Sequence, residues 1–162
     1  MSLLIRAHAP VDLATLHTIR AAAFAPVFAS FRSIVGPEIA AFGLATAEQE
    51  QADLLDTIAR PDSGHAIAVG EIDSTPVGFV SWKPNIAPCI GEITLNAVHP
   101  DHGGKGIGTA LYEHALAALK ATGMQLVTVG TGGDPSHAPA RRAYEKAGFS
   151  VHIPSIYMYR RL

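Results

Sequence analysis

The chain has 162 residues, the length of one domain, with 48% hydrophobic and 16% charged side chains, which is ample for a core and carries no signature of disorder. Twelve basic against fourteen acidic side chains leave a net charge of −2, which argues against a dedicated nucleic-acid binder. The single cysteine, Cys89, excludes an intramolecular disulfide and a cysteine-based zinc site, and suits a reducing cytosol. No apolar run approaches about 18 residues and no basic N-terminal region leads a long apolar stretch, so the expectation is a single cytoplasmic domain over residues 1–162 without a membrane partner. The charge is unevenly divided: residues 1–81 sum to −5 and residues 82–162 to +3. A basic second half hints at an anionic ligand there, and an acidic first half, more weakly, at a cationic one.

In chain order, Leu3 to Ala7 reads as a first strand, and Pro10 leads into a helix from about Asp12 to Phe24 with Leu16, Ile19 and Ala23 on one face. Residues 25–45 show no clear period, and Gly36-Pro37 breaks any helix there. A helix opens at Thr46, where a capping box with Gln49 is expected; Leu54, Leu55 and Ile58 form its stripe and Pro61 ends it. His65–Ile72 and Val77–Trp82 read as strands joined by Asp73-Ser74-Thr75, and Gly91–Val98 as a further strand. A glycine-rich loop, a helix to about Lys120, a strand over Gln125–Thr131 and a helix over Ala138–Ala147 follow. Phe149–Ile153 and Ser155–Tyr159 read as a closing hairpin around Pro154. That order predicts a mixed α/β fold whose twisted mixed sheet of about six to seven strands carries helices on both faces.

The most informative segment runs from Val98 to Leu111 and sets Gly103, Gly104, Gly106 and Gly108 between a strand and a helix. Without a Cβ, glycine lets main-chain N–H groups approach phosphate oxygens, and the following helix adds its free amides and positive dipole end. The loop reads as a diphosphate cradle, against the plainer reading of an ordinary glycine-rich turn. A P-loop would need Lys followed by Ser or Thr after its last glycine, but Ile107 follows Gly106 and Ala110 follows Thr109. A dinucleotide-binding fingerprint would need Gly or Ala where Thr109 or Leu111 stands. Neither fits.

Val98-x-Pro100, then Gly104-Lys105-Gly106-Ile107-Gly108 and Leu111, resembles the acetyl-CoA loop of the GNAT acetyltransferase superfamily. Gly103 stands where that family commonly has Arg or Gln, which removes a side-chain contact and leaves the backbone cradle. A second match, Ala140 through Tyr144-Glu145-Lys146 to Gly148-Phe149, resembles the family's C-terminal helix and strand, with His137 where an Asn commonly meets the pantetheine arm. The matches span about residues 90–150, and the first 60 residues resemble nothing familiar.

The resemblance implies an N-acetyltransferase that moves an acetyl group from acetyl-CoA, without metal, directly to an amine of a small molecule or peptide. It implies cofactor contacts from Ala97, Val98, Gly103, Gly104, Lys105, Gly106, Ile107, Gly108, Thr109 and His137, with the Val98 N–H polarising the thioester carbonyl. The edge from Asn96 to Val98 would pair with the amide-rich pantetheine arm as another strand does. Tyr144 is the candidate acid for the departing thiolate, against a core aromatic, and Glu92 the candidate base for the amine, against a solvated edge residue. His99 and His102 are second-choice bases, and Lys105, Arg141 and Arg142 are placed to meet phosphates. Asp134, Ser136 and His137 lie too close in sequence for a nucleophilic triad, and Trp82 with Phe24, Phe28 and Phe31 read as core or acceptor-pocket wall. A non-catalytic acyl-CoA-binding regulatory module is the alternative, as is a phosphate-binding fold of another kind. A homodimer is a further expectation.

Overall fold

Leu3–Ala7 (β1) leads through a short 3-10 turn at Pro10–Asp12 into two helices, Leu13–Gly43 (α1) and Ala47–Ile58 (α2). A meander follows: Ala66–Ile72 (β2), Thr75–Asn85 (β3) and Ile90–Val98 (β4). The chain then runs through Ile107–Ala121 (α3), Leu126–Val129 (β5) and Ala138–Lys146 (α4). This is a computed structural model, and it describes residues 2–162. The strands lie in the order β1-β2-β3-β4-β5, antiparallel except for the parallel β4–β5 pair.

One apolar cluster joins α1 and α2 to the sheet through Leu16, Ile19, Leu55, Ile58, Phe79 and Leu95. The other lies on the opposite face, where Val80, Trp82 and Ile93 meet Leu111, Ala115 and Leu119 of α3 and Tyr144 of α4. The middle strands β2 and β3 are covered on both faces and are near-continuous apolar runs.

The sheet has five strands, not six to seven. The expected hairpin over Phe149–Ile153 and Ser155–Tyr159 does not form: residues 150–162 carry no helix or strand and are exposed. Nor does the predicted stop at Phe24 hold, because α1 runs on to Gly43, with Val27 and Phe28 buried. The Gly36-Pro37 break is a kink inside it, where Gly36 has φ 78° and leaves helical geometry. By length and composition alone α1 is apolar enough to cross a membrane, contrary to the expectation from the length of apolar runs; 22% of its most apolar stretch is buried. The capping box at Thr46 is also absent. Its hydroxyl donates to Glu50 at 2.6 Å, and Gln49 turns to Asp53 at 2.7 Å.

The feature that positions the site is a bulge in β4. Val80 of β3 faces Asn96 and Trp82 faces Ile93, so three steps on β4 oppose two on β3. Ile93 packs against α3, whereas Leu95, two residues on, packs against α1 and α2. Ser81, fully buried, holds the irregularity: its hydroxyl donates to the Leu95 carbonyl at 2.7 Å and lies 2.7 Å from Thr94 Oγ1. Beyond the bulge β4 turns away from β5, which pairs only Ile90–Ile93 with Leu126–Val129.

At Gly91 the sheet lies tight against α3. A Cβ there would stand 2.6 Å from Leu119 Cδ2 and 2.8 Å from Cδ1, and Leu119 has no exposed surface to retreat into. Gly91→Val is expected to cost about 1–3 kcal/mol as an overpacked core. In a thermal melt that is a fall of roughly 2–12 °C for a chain of this size.

Candidate active site

Where β4 and β5 separate, a cavity of about 680 Å³ opens between the strand ends, the glycine loop, α1 and α4. Thr94 to Val98 form one wall, Gly103, Gly104, Gly106, Ile107, Gly108 and Thr109 the next, and His137, Ala140, Arg142 and Tyr144 the far side. Of the expected cofactor contacts, Lys105 alone is off the wall; its ammonium donates to the Asp101 carbonyl at 3.2 Å. His102, Phe24 and Val27 also line the cavity.

The loop has the geometry of an anion cradle. Gly104 (φ 73°) and Gly106 (φ 78°) both adopt the left-handed conformation that favours glycine, and nothing lies within 4 Å of where either would carry a Cβ. Gly106 is the N-cap of α3, so the free amides of the first turn open directly beside that space. The concavity is lined by main-chain amides, a geometry that suits an anion. Just past β4, the His99 N–H bonds back to the Val77 carbonyl of β3 at 2.8 Å. The two-residue alternation of an antiparallel ladder therefore turns the Asn96 and Val98 amides outward, into the gap left by β5.

Tyr144 sits at the head of that gap, 5% exposed and on the cavity wall. Asn96 donates to its hydroxyl at 2.9 Å and accepts from the Tyr112 hydroxyl at 2.8 Å, while the two rings pack with centroids 4.6 Å apart. The Tyr144 oxygen thus already accepts one hydrogen bond, and its own proton makes only a long 3.4 Å bond to Asn96 Oδ1, which a ligand can displace. Burial raises the Tyr144 pKa above the usual phenol value, against the opposing pull of Asn96, so the group stays protonated at neutral pH. Tyr112 is raised as well, by burial first and then by Tyr144. Asn96 and Tyr112 escaped the sequence reading as partners of Tyr144. The signal was a lone amide inside a β-rich apolar strand, which shows only that something polar must meet it.

A second polar cluster stands at the other end. Asp134 Oδ1 lies 2.6 Å from His137 Nδ1, Oδ2 accepts from Ser30 of α1 at 2.8 Å, and Ser136 donates to the same oxygen. Burial pushes the Asp134 carboxyl up, but the hydrogen bonds from Ser136, Ser30 and His137 outweigh it and hold the group well below the ordinary carboxylate range. Phe31 stacks on the His137 ring at 5.7 Å, and a Cβ at Gly132 would overlap that ring. With Nδ1 fixed on a carboxylate, Nε2 is the nitrogen left for a ligand.

The other candidates divide. Glu92 is exposed, pairs across the sheet with Lys83 and Thr128, and is not on the cavity wall; no carboxylate is, among the described residues. Arg141 turns inward to the Gly132 and Asp134 carbonyls rather than outward to a phosphate, whereas Arg142 lines the cavity. His99 lies off the wall, its ring 6.3 Å from that of His102. Phe24 is wall, Phe28 and Trp82 are core.

The family model of the acetyltransferase (GNAT) family matches residues 33–149. The chain belongs to that family. A mycothiol acetyltransferase of Sanguibacter keddieii is 35% identical over 117 residues, which cover 68% of this chain and 36% of that protein. The match thus spans about a third of that relative's length. Among solved structures, the fold of the PaiA N-acetyltransferase of Thermoplasma acidophilum, in complex with coenzyme A, is similar at a TM-score of 0.75. It is 22% identical, covering 96% of this chain and 94% of the other. A GNAT acetyltransferase of Brucella melitensis in complex with acetyl-CoA has a TM-score of 0.65 at 22% identity, covering 93% and 84%. Within the GNAT fold, the open β4–β5 gap and the glycine turn before α3 occupy one continuous cavity here.

Proposed function

We propose that the protein transfers the acetyl group of acetyl-CoA to an amine of a small molecule or peptide. The observation that carries this is the continuity of three parts: an amide-lined cradle at Gly104 and Gly106, an unpaired β4 edge, and a protonated Tyr144 hydroxyl above it. Bound acetyl-CoA supplies an activated acyl thioester. The cradle and Arg142 hold its phosphates, and the outward amides of Asn96 and Val98, with His137 Nε2, hold its amide-rich arm. The Val98 N–H polarises the carbonyl oxygen, and Tyr144 gives its proton to the leaving sulfur. Transfer is direct, because Cys89 bonds to the Ile86 carbonyl outside the cavity and has no activating neighbour. Assaying thiol release with polyamines, amino acids, aminoglycosides and peptide N-termini tests this reading; no acceptor-dependent release from any of them would count against it.

Glu92 collects the amine proton through water, since its carboxylate stands outside the wall. Glu92→Gln is then expected to lower kcat most near neutral pH, with the loss shrinking toward pH of about 8–10, where free amine forms unaided. Parallel pH–rate profiles of parent and variant would remove Glu92 from the mechanism. The same position favours a second reading, a non-catalytic acyl-CoA-binding module, which predicts CoA binding without turnover.

A further inference from the structure

Toward the β1 side of the sheet, away from β5, a second hollow of about 370 Å³ lies where β1 runs out, α2 ends and β2 begins. It shares no lining residue with the cavity at the glycine loop. The His8 N–H bonds to the Ile67 carbonyl at 3.0 Å, which carries the β1–β2 ladder one step past the Ala7–Ala68 pair. Residues opposite each other in such a ladder share a face. His8 therefore stands on the side where Ile67 clusters with Leu55 and Ile58 of α2. His65, two residues before Ile67, returns to that side. The pairing brings two imidazoles to one hollow.

The fold leaves their outer nitrogens unused. His8 Nε2 is buried and makes no hydrogen bond among the described residues, so it bears a desolvation cost that a ligand atom would offset. His65 Nδ1 lies 3.2 Å from the Ser63 carbonyl, which fixes a proton there and leaves Nε2 over. Arg60 adds a permanent positive charge on the wall. The neighbouring carboxylates are engaged elsewhere: Asp12 receives Arg6 at 2.7 and 2.8 Å, and Asp56 meets His17 at 2.8 Å. Asp62 is exposed and off the wall. The last carbonyls of α2, which would repel an anion, are covered as well. Ser63 donates to that of Ile58 at 2.8 Å, and the Arg60 N–H to that of Thr57 at 3.3 Å. Most of the remaining wall is apolar, with Pro10, Ile58, Pro61 and Ile67 on it.

We propose that this hollow is a second binding site, for a small carboxylic acid with an apolar body. Nε2 of His8 and of His65, each carrying a proton, and the Arg60 guanidinium donate to the two carboxylate oxygens. The apolar body lies on Pro10, Ile58 and Ile67. Two imidazoles alone would suit a metal ion, but the Arg60 charge repels one and attracts an acid. The apolar share of the wall favours an organic acid over free phosphate. The volume falls within the range of about 300–1,000 Å³ typical of small-ligand sites. Occupancy here leaves the acetyl-CoA cavity open, whatever acceptor that cavity serves.

The test titrates the full chain with benzoate and with hexanoate and follows the backbone amides by two-dimensional NMR. The expected result is saturable shifts centred on His8, Arg60, His65 and Ile67, with a Kd of about 1 mM for at least one acid. No saturable shift for either acid up to about 20 mM, or shifts centred on the 103–109 loop, would overturn the proposal. Benzamide, of the same shape without the charge, should bind at least about 10-fold more weakly than benzoate. Arg60→Gln should weaken benzoate by about 5–10-fold, and adding His8→Gln should weaken it further, with circular dichroism unchanged. Arg60 is exposed, so its variant keeps the fold even if His8→Gln does not. Benzoate held equally well by Arg60→Gln, or benzamide bound as tightly, would overturn the role of the charge. Inorganic phosphate binding more tightly than either acid would make this a plain anion site. Zinc chloride perturbing the same amides at lower concentration would make it a metal site. Either outcome would also overturn it.

Discussion

Gly106→Glu is expected to abolish the thermal stabilisation that coenzyme A gives to the parent. At about 100 times Kd a ligand selective for the native state contributes roughly 2.7 kcal/mol, a rise of about 5–10 °C for a chain of this length. The new side chain would enter the open space in front of the α3 amides and set a carboxylate against the phosphates. Its left-handed φ of 78° adds strain of about 1–2 kcal/mol to the variant, so its own melt is the baseline for the comparison. Gly106→Ala carries the same strain without the charge and should keep part of the shift. A Glu variant stabilised by coenzyme A as strongly as the parent would place the phosphate site elsewhere.

Tyr144→Phe should lower kcat by about 10–10³-fold, reaching into the lower part of the range for a general acid, with little change in KM for acetyl-CoA. The ring stays packed against Tyr112 and Phe149, but the Asn96 amide loses its 2.9 Å acceptor. That loss costs about 1 kcal/mol, a melting shift of roughly 2–4 °C. A stable variant with unchanged kcat would reduce Tyr144 to a packing residue. Because the folded phenol titrates above its ordinary value, the parent should not lose its acid below pH of about 10.

The glycine loop was legible because its requirement is local: φ above zero at Gly104 and Gly106 is a property of single residues. The order of β1 to β5 was legible for a similar reason, since buried strands show as apolar runs bounded by turns. Glu92 was not. Its placement depends on which face of β4 it takes and where the strand leaves β5, and both follow from a bulge that no local pattern announces. Arg141 looked like Arg142 in sequence, and only the packing of α4 against the 132–134 turn gives one to carbonyls and the other to the cavity. The closing hairpin was read from strand-like composition, but composition does not state whether a neighbouring strand is there to pair with.

The site exists because β4 is one residue out of step with β3. In an unbroken strand, residues 93 and 96 fall on opposite sides of the sheet; here Ile93 and Asn96 both face α3. Parity is therefore a functional property of this strand. Removing one residue at Thr94 or Leu95 would restore regular alternation with Ile93 and Asn96 still on the α3 face, and would take away the local bend that carries β4 from β5. The backbone groups of residues 94–98 would then be spent on the chain itself. A substitution can weaken such a site by degrees, whereas a deletion there erases the opening in a single step while leaving every proposed cofactor-binding residue in the sequence.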